Sequence, residues 1–465
     1  MSFNKTMSLF ALMLLIGPDA ANAQRAVPDQ LSLKDAVSVA VGVNYNLKAS
    51  QASSLDALST LRQQRILTTY GLGVSTAFDR YSGVQVVSDQ VSGNMAYSGL
   101  EGTTSTISLS PFGMGTERGG VAFSLTHPLL KGSGQMSAKF DAVQTALSGT
   151  RVQDKQLYST EQSTVLNVID TYYYAVLDAQ QVQIQEKAVK LAEESADYVR
   201  RRVDAGLERG ILVTQQEVYV AQARDSLNLA RQTARGAVDS LMVAMGVGVG
   251  QTPTLTDPIP DADTEMPDLQ KAIETALKNR SELAIYDVQL SEAQRQLAIK
   301  NDQLRPDLNL VADFNSSSTD AGFMNGNEFD TGSLTVGVVY DFPIDKRIAR
   351  EQRDITARAL DTLHRQRAYS AEQITNDVRT AYRSLDAARV SLGIYTQSLD
   401  TAKENLRIAQ RMVEEGEGDS LSVVDAQKSL TDNESSIANA KINLFLARKQ
   451  LEYAMGEDLT SMVVK

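Results

Sequence analysis

A chain of 465 residues with 57 acidic against 45 basic side chains carries a formal charge of −12, which argues against a nucleic-acid partner because such a surface repels phosphate backbones. There is no cysteine, which excludes a lipidated N-terminal cysteine, disulfides, thiol catalysis and cysteine metal sites together. The length allows two or three ordinary domains or one elongated repeat protein.

Residues 1–23 have the form of a removable signal peptide. Lys5 supplies the positive start, Met7 to Ile16 form a short apolar run, and Ala21-Asn22-Ala23 gives the small-x-small pattern for cleavage before Gln24. The run is too short for a spanning anchor, and beyond it no uncharged apolar stretch approaches the roughly 20 residues of a transmembrane helix. Entry into a membrane would therefore have to use strands.

Two copies of one pattern follow. A short amphipathic helix (Leu33–Val43) leads into a second helix reaching about Leu67. A strand comes next, with Leu72, Val74, Thr76 and Phe78 alternating with Gly73, Ser75, Ala77 and Asp79. The Gly/Ser/Thr-rich stretch between Tyr81 and Gly119 reads as a loop. In a second strand Val121, Phe123 and Leu125 alternate with Ala122, Ser124 and Thr126, and Pro128 closes the pair. The chain is then almost free of helix breakers to Gly206, and a return helix ends at Met245-Gly246 with glycine as C-cap.

The second copy repeats this order: a helix over Leu269–Lys278, another to Leu304 ended by Pro306, strands over Leu308–Phe314 and Leu334–Tyr340, and closure by Pro343. A long helix from Arg347 to Gly416 and a return helix ending at Met455-Gly456 complete it. About 70 residues of helix span roughly 105 Å, a coiled-coil length.

The duplication is direct. At an offset of 210, Arg201, Val203, Gly206, Val213, Leu241, Ala244, Met245 and Gly246 meet Arg411, Val413, Gly416, Val423, Leu451, Ala454, Met455 and Gly456. At 236, Leu33, Ala36, Ala40, Leu47 and Leu72 meet Leu269, Ala272, Ala276, Leu283 and Leu308. The implied division is a first repeat over 24–250, a proline-rich linker over 251–267 and a second repeat over 268–465.

The expected fold is thus an α+β membrane protein of two helix–strand–strand–helix repeats with four strands per chain. Four strands cannot close alone, since single-chain barrels need about eight. A membrane reading requires chains to pool strands, as a dimer of eight or a trimer of twelve. The alternative is a non-channel periplasmic coiled-coil adaptor or scaffold with a soluble sheet.

The duplicated order, Arg305-Pro306-Asp307-Leu308 before a strand, His127-Pro128-Leu129 after one, Ala205-Gly206-Leu207, and Gly416 followed by Val423-Val424-Asp425-Ala426-Gln427 resemble the TolC family of outer-membrane efflux and secretion channels. The resemblance covers nearly the whole mature chain. It implies a homotrimer in which a twelve-stranded β-barrel in outer-membrane lipid continues into a periplasmic α-barrel. It also implies docking to a periplasmic adaptor (membrane fusion protein) and an inner-membrane pump, for drug efflux or type I secretion.

Under that resemblance Asp425 is the candidate gate residue, three copies forming an acidic ring at the narrow periplasmic entrance. The bland alternative is a solvated carboxylate that the helix dipole favours. Asp419 is grouped with Asp425 at that gate, the competing and preferred expectation being the N-cap of the same helix. Arg411 with Glu414 or Glu415 would hold the closed state. Ala205, Gly206 and Leu207 at the first tip, and Gly416 and Glu417 at the second, would contact the adaptor. Relatives often pair two acids three residues apart at the second tip. Here Ser422 partners Asp425, so one acidic ring is expected, at that tip.

No enzyme, cofactor or metal site is expected. The two histidines, His127 and His364, have no ligand cluster near them in sequence, and no phosphate-cradling loop or nucleophile elbow occurs. Tyr172-Tyr173-Tyr174 is expected to pack in core and grooves.

Overall fold

The computed structural model describes residues 28–81, 84–113, 120–206, 209–260, 265–317, 331–415 and 420–464. The signal-peptide expectation for residues 1–23 lies outside them. The described residues form two compact units, each drawing on both halves of the sequence. One takes its residues from 1–49, 159–280 and 374–465, the other from 50–158 and 281–373. The long helices α3 (Ala138–Asp204) and α7 (Arg347–Glu414) contribute to both. They contain 67 and 68 residues, about 100 Å each at 1.5 Å per residue.

The first unit is helical apart from one short two-stranded sheet. Its short helices α1 (Leu33–Val43) and α5 (Leu269–Asn279) fall where the periodicity placed them. Each is capped by a side chain: Ser32 accepts from the Asp35 amide at 3.2 Å and Asp268 from the Lys271 amide at 2.9 Å. The return helices α4 (Ile211–Met245) and α8 (Ser420–Ala454) run back along α3 and α7. A C-terminal helix, α9 (Leu459–Val464), adds Leu459 to the core, fully buried.

That core gathers Val37 and Ala40 of α1, Ile169 and Tyr172 of α3, Leu241 and Met245 of α4 and Ile442 of α8. Tyr172 is wholly buried, and its hydroxyl lies 2.9 Å from the Leu31 carbonyl and 3.0 Å from the Asp257 carboxylate. Burial pushes its pKa up. The contact ties the linker to the first strand, since β1 (Gln30–Leu31) pairs in parallel with β6 (Thr254–Leu255). Tyr173 is buried too, while Tyr174 is 47% exposed, as the helical period requires.

Both return helices end alike. Gly246 adopts φ +79° and Gly456 φ +71°, the left-handed C-cap. A Cβ on Gly246 would meet the Asn44 Cα at 2.7 Å, and one on Gly456 the Asn279 backbone at 3.1 Å. Each glycine therefore sits on the junction between its copy's two short helices. Asn44 strengthens the first junction by donating to the Ala244 carbonyl at 2.9 Å and accepting from the Leu47 amide at 3.2 Å.

The second unit holds most of α2 (Tyr45–Gln64), α6 (Ser281–Asp302) and the six-stranded sheet. A half-buried network clips α6 to α3: Arg295 donates to Asp141 at 2.5 Å, to Thr145 at 2.9 Å and to Glu292. Burial alone would raise the Glu292 pKa, but hydrogen bonds from Arg295, Gln296 and Thr145 and the Arg295 charge leave it lowered.

Six antiparallel strands form the sheet, in the order β2 (Thr68–Tyr81), β3 (Val84–Ser98), β4 (Thr104–Gly113), β5 (Gly120–Pro128), β7 (Asp307–Ser317) and β8 (Thr331–Asp341). The expectation of four strands per chain is corrected here. Among the described residues the Gly/Ser/Thr-rich stretch supplies two more strands, β3 and β4, in the middle of the sheet. The stretch reads as a loop because its alternate positions are small and polar (Ser92, Asn94, Ala96 and Ser98), which is also what one face of a two-sided strand requires.

Pairing of β5 with β7 joins the two copies, Pro128 opposite Asn309. It brings together the two motifs that flank the strands: the Leu129 amide donates to the Leu308 carbonyl at 2.7 Å and Lys131 pairs with Asp307 at 3.1 Å. The Gly132 amide reaches buried Asp302 at 2.7 Å.

The register gives the sheet two chemically distinct faces. Tyr70, Met95, Ile107, Phe123, Phe314 and Leu334 form one row across all six strands. The adjacent row on the opposite face is Gly71, Asn94, Ser108, Ala122, Asn315 and Ser333. Residues 69–74 and 332–341 are exposed throughout, and the outer edges of β2 and β8 are unpaired among the described residues. No described helix is long and apolar enough to cross a membrane.

Candidate functional site

The candidate site residues lie where long and return helices turn. In the first hairpin, α3 closes with the Gly206 amide on the Val203 carbonyl at 2.9 Å, Gly206 at φ +72°, and Ala205 just before it. Both are exposed, and nothing lies within 4 Å of a Cβ built on Gly206. Only the left-handed backbone requires glycine there. Leu207 lies outside the described residues.

Above this turn runs a ladder of ion pairs that the sequence reading missed. Arg200 meets Glu217 at 3.1 Å, Glu193 meets Arg224 at 2.7 Å and Glu186 meets Arg231 at 2.8 Å. Partners recur every seven residues on both helices, the spacing that flanks a coiled-coil seam. The signal was available as two antiparallel heptads of charge, but only the fold says that they face each other. At the matching offset in the second hairpin stand Thr396, Lys403 and Gln410 on α7 and Gln427, Glu434 and Lys441 on α8, so the charge ladder is not duplicated.

In the second hairpin, Arg411 is exposed in the last turn of α7, and its carbonyl accepts from the Glu415 amide at 2.9 Å. The Arg411 charge also acts on Glu404, whose pKa is held down first by the Arg407 hydrogen bond and then by the charges of Arg407 and Arg411. The Glu414 side chain, Gly416, Glu417 and Asp419 lie outside the described residues.

Asp425 is exposed on the second turn of α8. Its neighbour Val424 is only 8% exposed and packs inward. A cavity of about 500 Å³ lies behind Val424, lined also by Gln185, Gln216, Tyr219, Gln427 and Asp432. Gln216 is 2% exposed, and its Oε1 has no hydrogen-bond partner among the described residues. The tip thus points a carboxylate outward from a hairpin anchored by an apolar side chain.

The profile of the outer membrane efflux protein family matches residues 91–247 and 272–457. The outer membrane protein TolC of Salmonella enteritidis is 22% identical over 326 residues, covering 66% of this chain and 63% of its own length. The chain thus aligns with a little under two thirds of that curated relative. Among solved structures, CusC, described in terms of folding and transmembrane channel formation, superposes with a TM-score of 0.72 at 14% identity over 92% of each chain. The open-state outer-membrane channel MtrE of Neisseria gonorrhoeae gives 0.71 at 14% identity over 91% of this chain and 89% of its own. With most of its length inside the matched profile and this fold over nine tenths of it, the chain belongs to the outer membrane efflux protein family.

Proposed function

We propose that the chain is the outer-membrane channel subunit of a tripartite efflux pump or type I secretion system, working as a homotrimer. The observation that carries this reading is the six-stranded sheet with one apolar face, one small polar face and two unpaired edges. An exposed apolar face of this extent needs a non-aqueous neighbour. Open edges are not tolerated in lipid, and one chain has fewer than the roughly eight strands needed to close. Joining β2 of one chain to β8 of the next satisfies both requirements, with water inside and lipid outside.

The helical hairpins then line a periplasmic conduit, which conducts passively what the inner-membrane pump delivers. Ala205, Gly206, Leu207, Gly416 and Glu417 sit at the tips that meet the periplasmic adaptor. Asp425 from three subunits forms the acidic ring, and Arg411 with Glu414 or Glu415 latches the closed state.

Two measurements test the proposal. Outer-membrane fractionation followed by an unheated gel should give a heat-modifiable trimer, whereas a soluble monomer refutes the channel. In planar bilayers Asp425→Asn should lower cation selectivity and weaken block by multivalent cations, because the ring loses its charge. Unchanged selectivity and block refute the ring.

A further inference from the structure

We infer that the Gly/Ser/Thr-rich insert of the first copy, the stretch between Tyr81 and Gly119 that forms β3 and β4, is part of the barrel wall, so that a trimer closes eighteen strands rather than twelve. The inference rests on the trimeric channel reading above and changes its calibre.

Three observations support it. First, β3 and β4 lie between β2 and β5, not on an edge, so the wall cannot be followed from β2 to β5 without passing through them. Second, they keep the two faces of the sheet. Met95 and Ile107 stand between Tyr70 and Phe123 in the apolar row, and Asn94 and Ser108 between Gly71 and Ala122 in the polar row. A flap lying over the barrel in water would have no reason to match the apolar register of the wall. Their lengths, 15 and 10 residues, suffice to cross a bilayer, which takes about 9–11 tilted residues.

Third, the turn between β3 and β4 is fastened at the end of the sheet where α3 begins. The Ser137 hydroxyl donates to the Leu100 carbonyl at 2.5 Å, and the Gly134 amide to the Glu101 carbonyl at 3.0 Å. Thr103 Oγ1 lies 2.7 Å from His127 Nδ1. Gly102, at φ +91°, is pressed so closely on Gly132 that a Cβ would meet its carbonyl at 2.7 Å. The hairpin therefore runs the full height of the wall and is tied down at the helical end.

Barrel diameter grows roughly linearly with strand number, so the outer section would be about 1.5 times as wide as a twelve-stranded one, in the range of porins that hold an aqueous channel. Its inner rows carry Ser, Thr, Asn, Ala and Gly almost throughout. Such a conduit does not select among small-molecule cargoes by size, and selection is left to the helical tips.

The absence of native cysteine makes the test direct. Single substitutions Asn94→Cys, Met95→Cys, Thr106→Cys and Ile107→Cys are made in the full chain, with Phe123→Cys and Ser124→Cys as references on β5. In outer-membrane vesicles a membrane-impermeant maleimide should label positions 94, 106 and 124, with labelling lost at 95, 107 and 123. Labelling of both members of each insert pair, with alternation kept at 123 and 124, overturns the insert as wall but leaves the channel standing. Loss of alternation at 123 and 124 as well overturns the channel reading itself. Strand counting on the unmodified trimer by electron microscopy is independent of any variant. Eighteen strands support the inference and twelve overturn it.

Discussion

At the scale of single residues, the three positive-φ glycines at helix ends are not equivalent. At Gly206 only the backbone conformation resists a side chain, so Gly206→Ala should cost about 1–2 kcal/mol. Gly246→Ala adds a collision with the Asn44 backbone and should cost clearly more, as thermal unfolding of the detergent-solubilised protein would register. Asp170 on α3 gives a pH signature. Burial raises its pKa from 3.8 to about 6, so the folded state keeps a proton that the unfolded chain has already released between those values. Its contribution to stability therefore falls as pH rises through that window, and the cost is fully present above about 6. Asp170→Asn should stabilise by about 1–2 kcal/mol at pH 8, after discounting for partial solvation, and by nothing at pH 3.5. A stabilisation equal at both pH values would show that the carboxylate's charge is not the cause.

At the scale of elements, three ion pairs lace the first hairpin, and the same register in the second keeps opposite charges only at Lys403 and Glu434. Each exposed pair of the ladder is worth about 0.2–1 kcal/mol and is screened by salt. Glu193→Arg or Arg224→Glu alone should lower the melting temperature at low salt, and the double swap should restore it. A double swap no better than the singles would refute the pairing. Arg295 is a different case, because it is half-buried between two carboxylates. Arg295→Met should cost about 3 kcal/mol by leaving Asp141 and Glu292 without a counter-charge, and adding salt should recover little of it. Helix bounds were largely legible in the sequence: Leu33–Val43 is α1 as expected, and the C-cap glycines stand where expected. They were legible because period, caps and breakers are local signals. Strands β3 and β4 were not, because small polar residues on every second position look the same in a loop as on the polar face of a sheet.

At the scale of the whole molecule, the described residues leave an apolar sheet face and two strand edges without partners, which the proposed trimer would cover. A cysteine pair placed across β2 of one subunit and β8 of the next should give a disulfide-linked trimer ladder on non-reducing gels. Pairs placed on β4 and β8 should not, since β4 has both its neighbours within its own chain. The candidate tips were located in sequence by the 210-residue offset, which aligned Gly206 with Gly416, while Asp425 was singled out only by the family resemblance. By itself the sequence determined the duplication, the helix lengths, the capping glycines and the exclusion of thiol chemistry, because each is a matter of spacing or composition. Only the tertiary structure decided how many strands there are, which residues form each face, and that motifs from the two copies meet where β5 pairs with β7. Register and strand order rest on contacts between residues far apart in the chain, which no local pattern can encode.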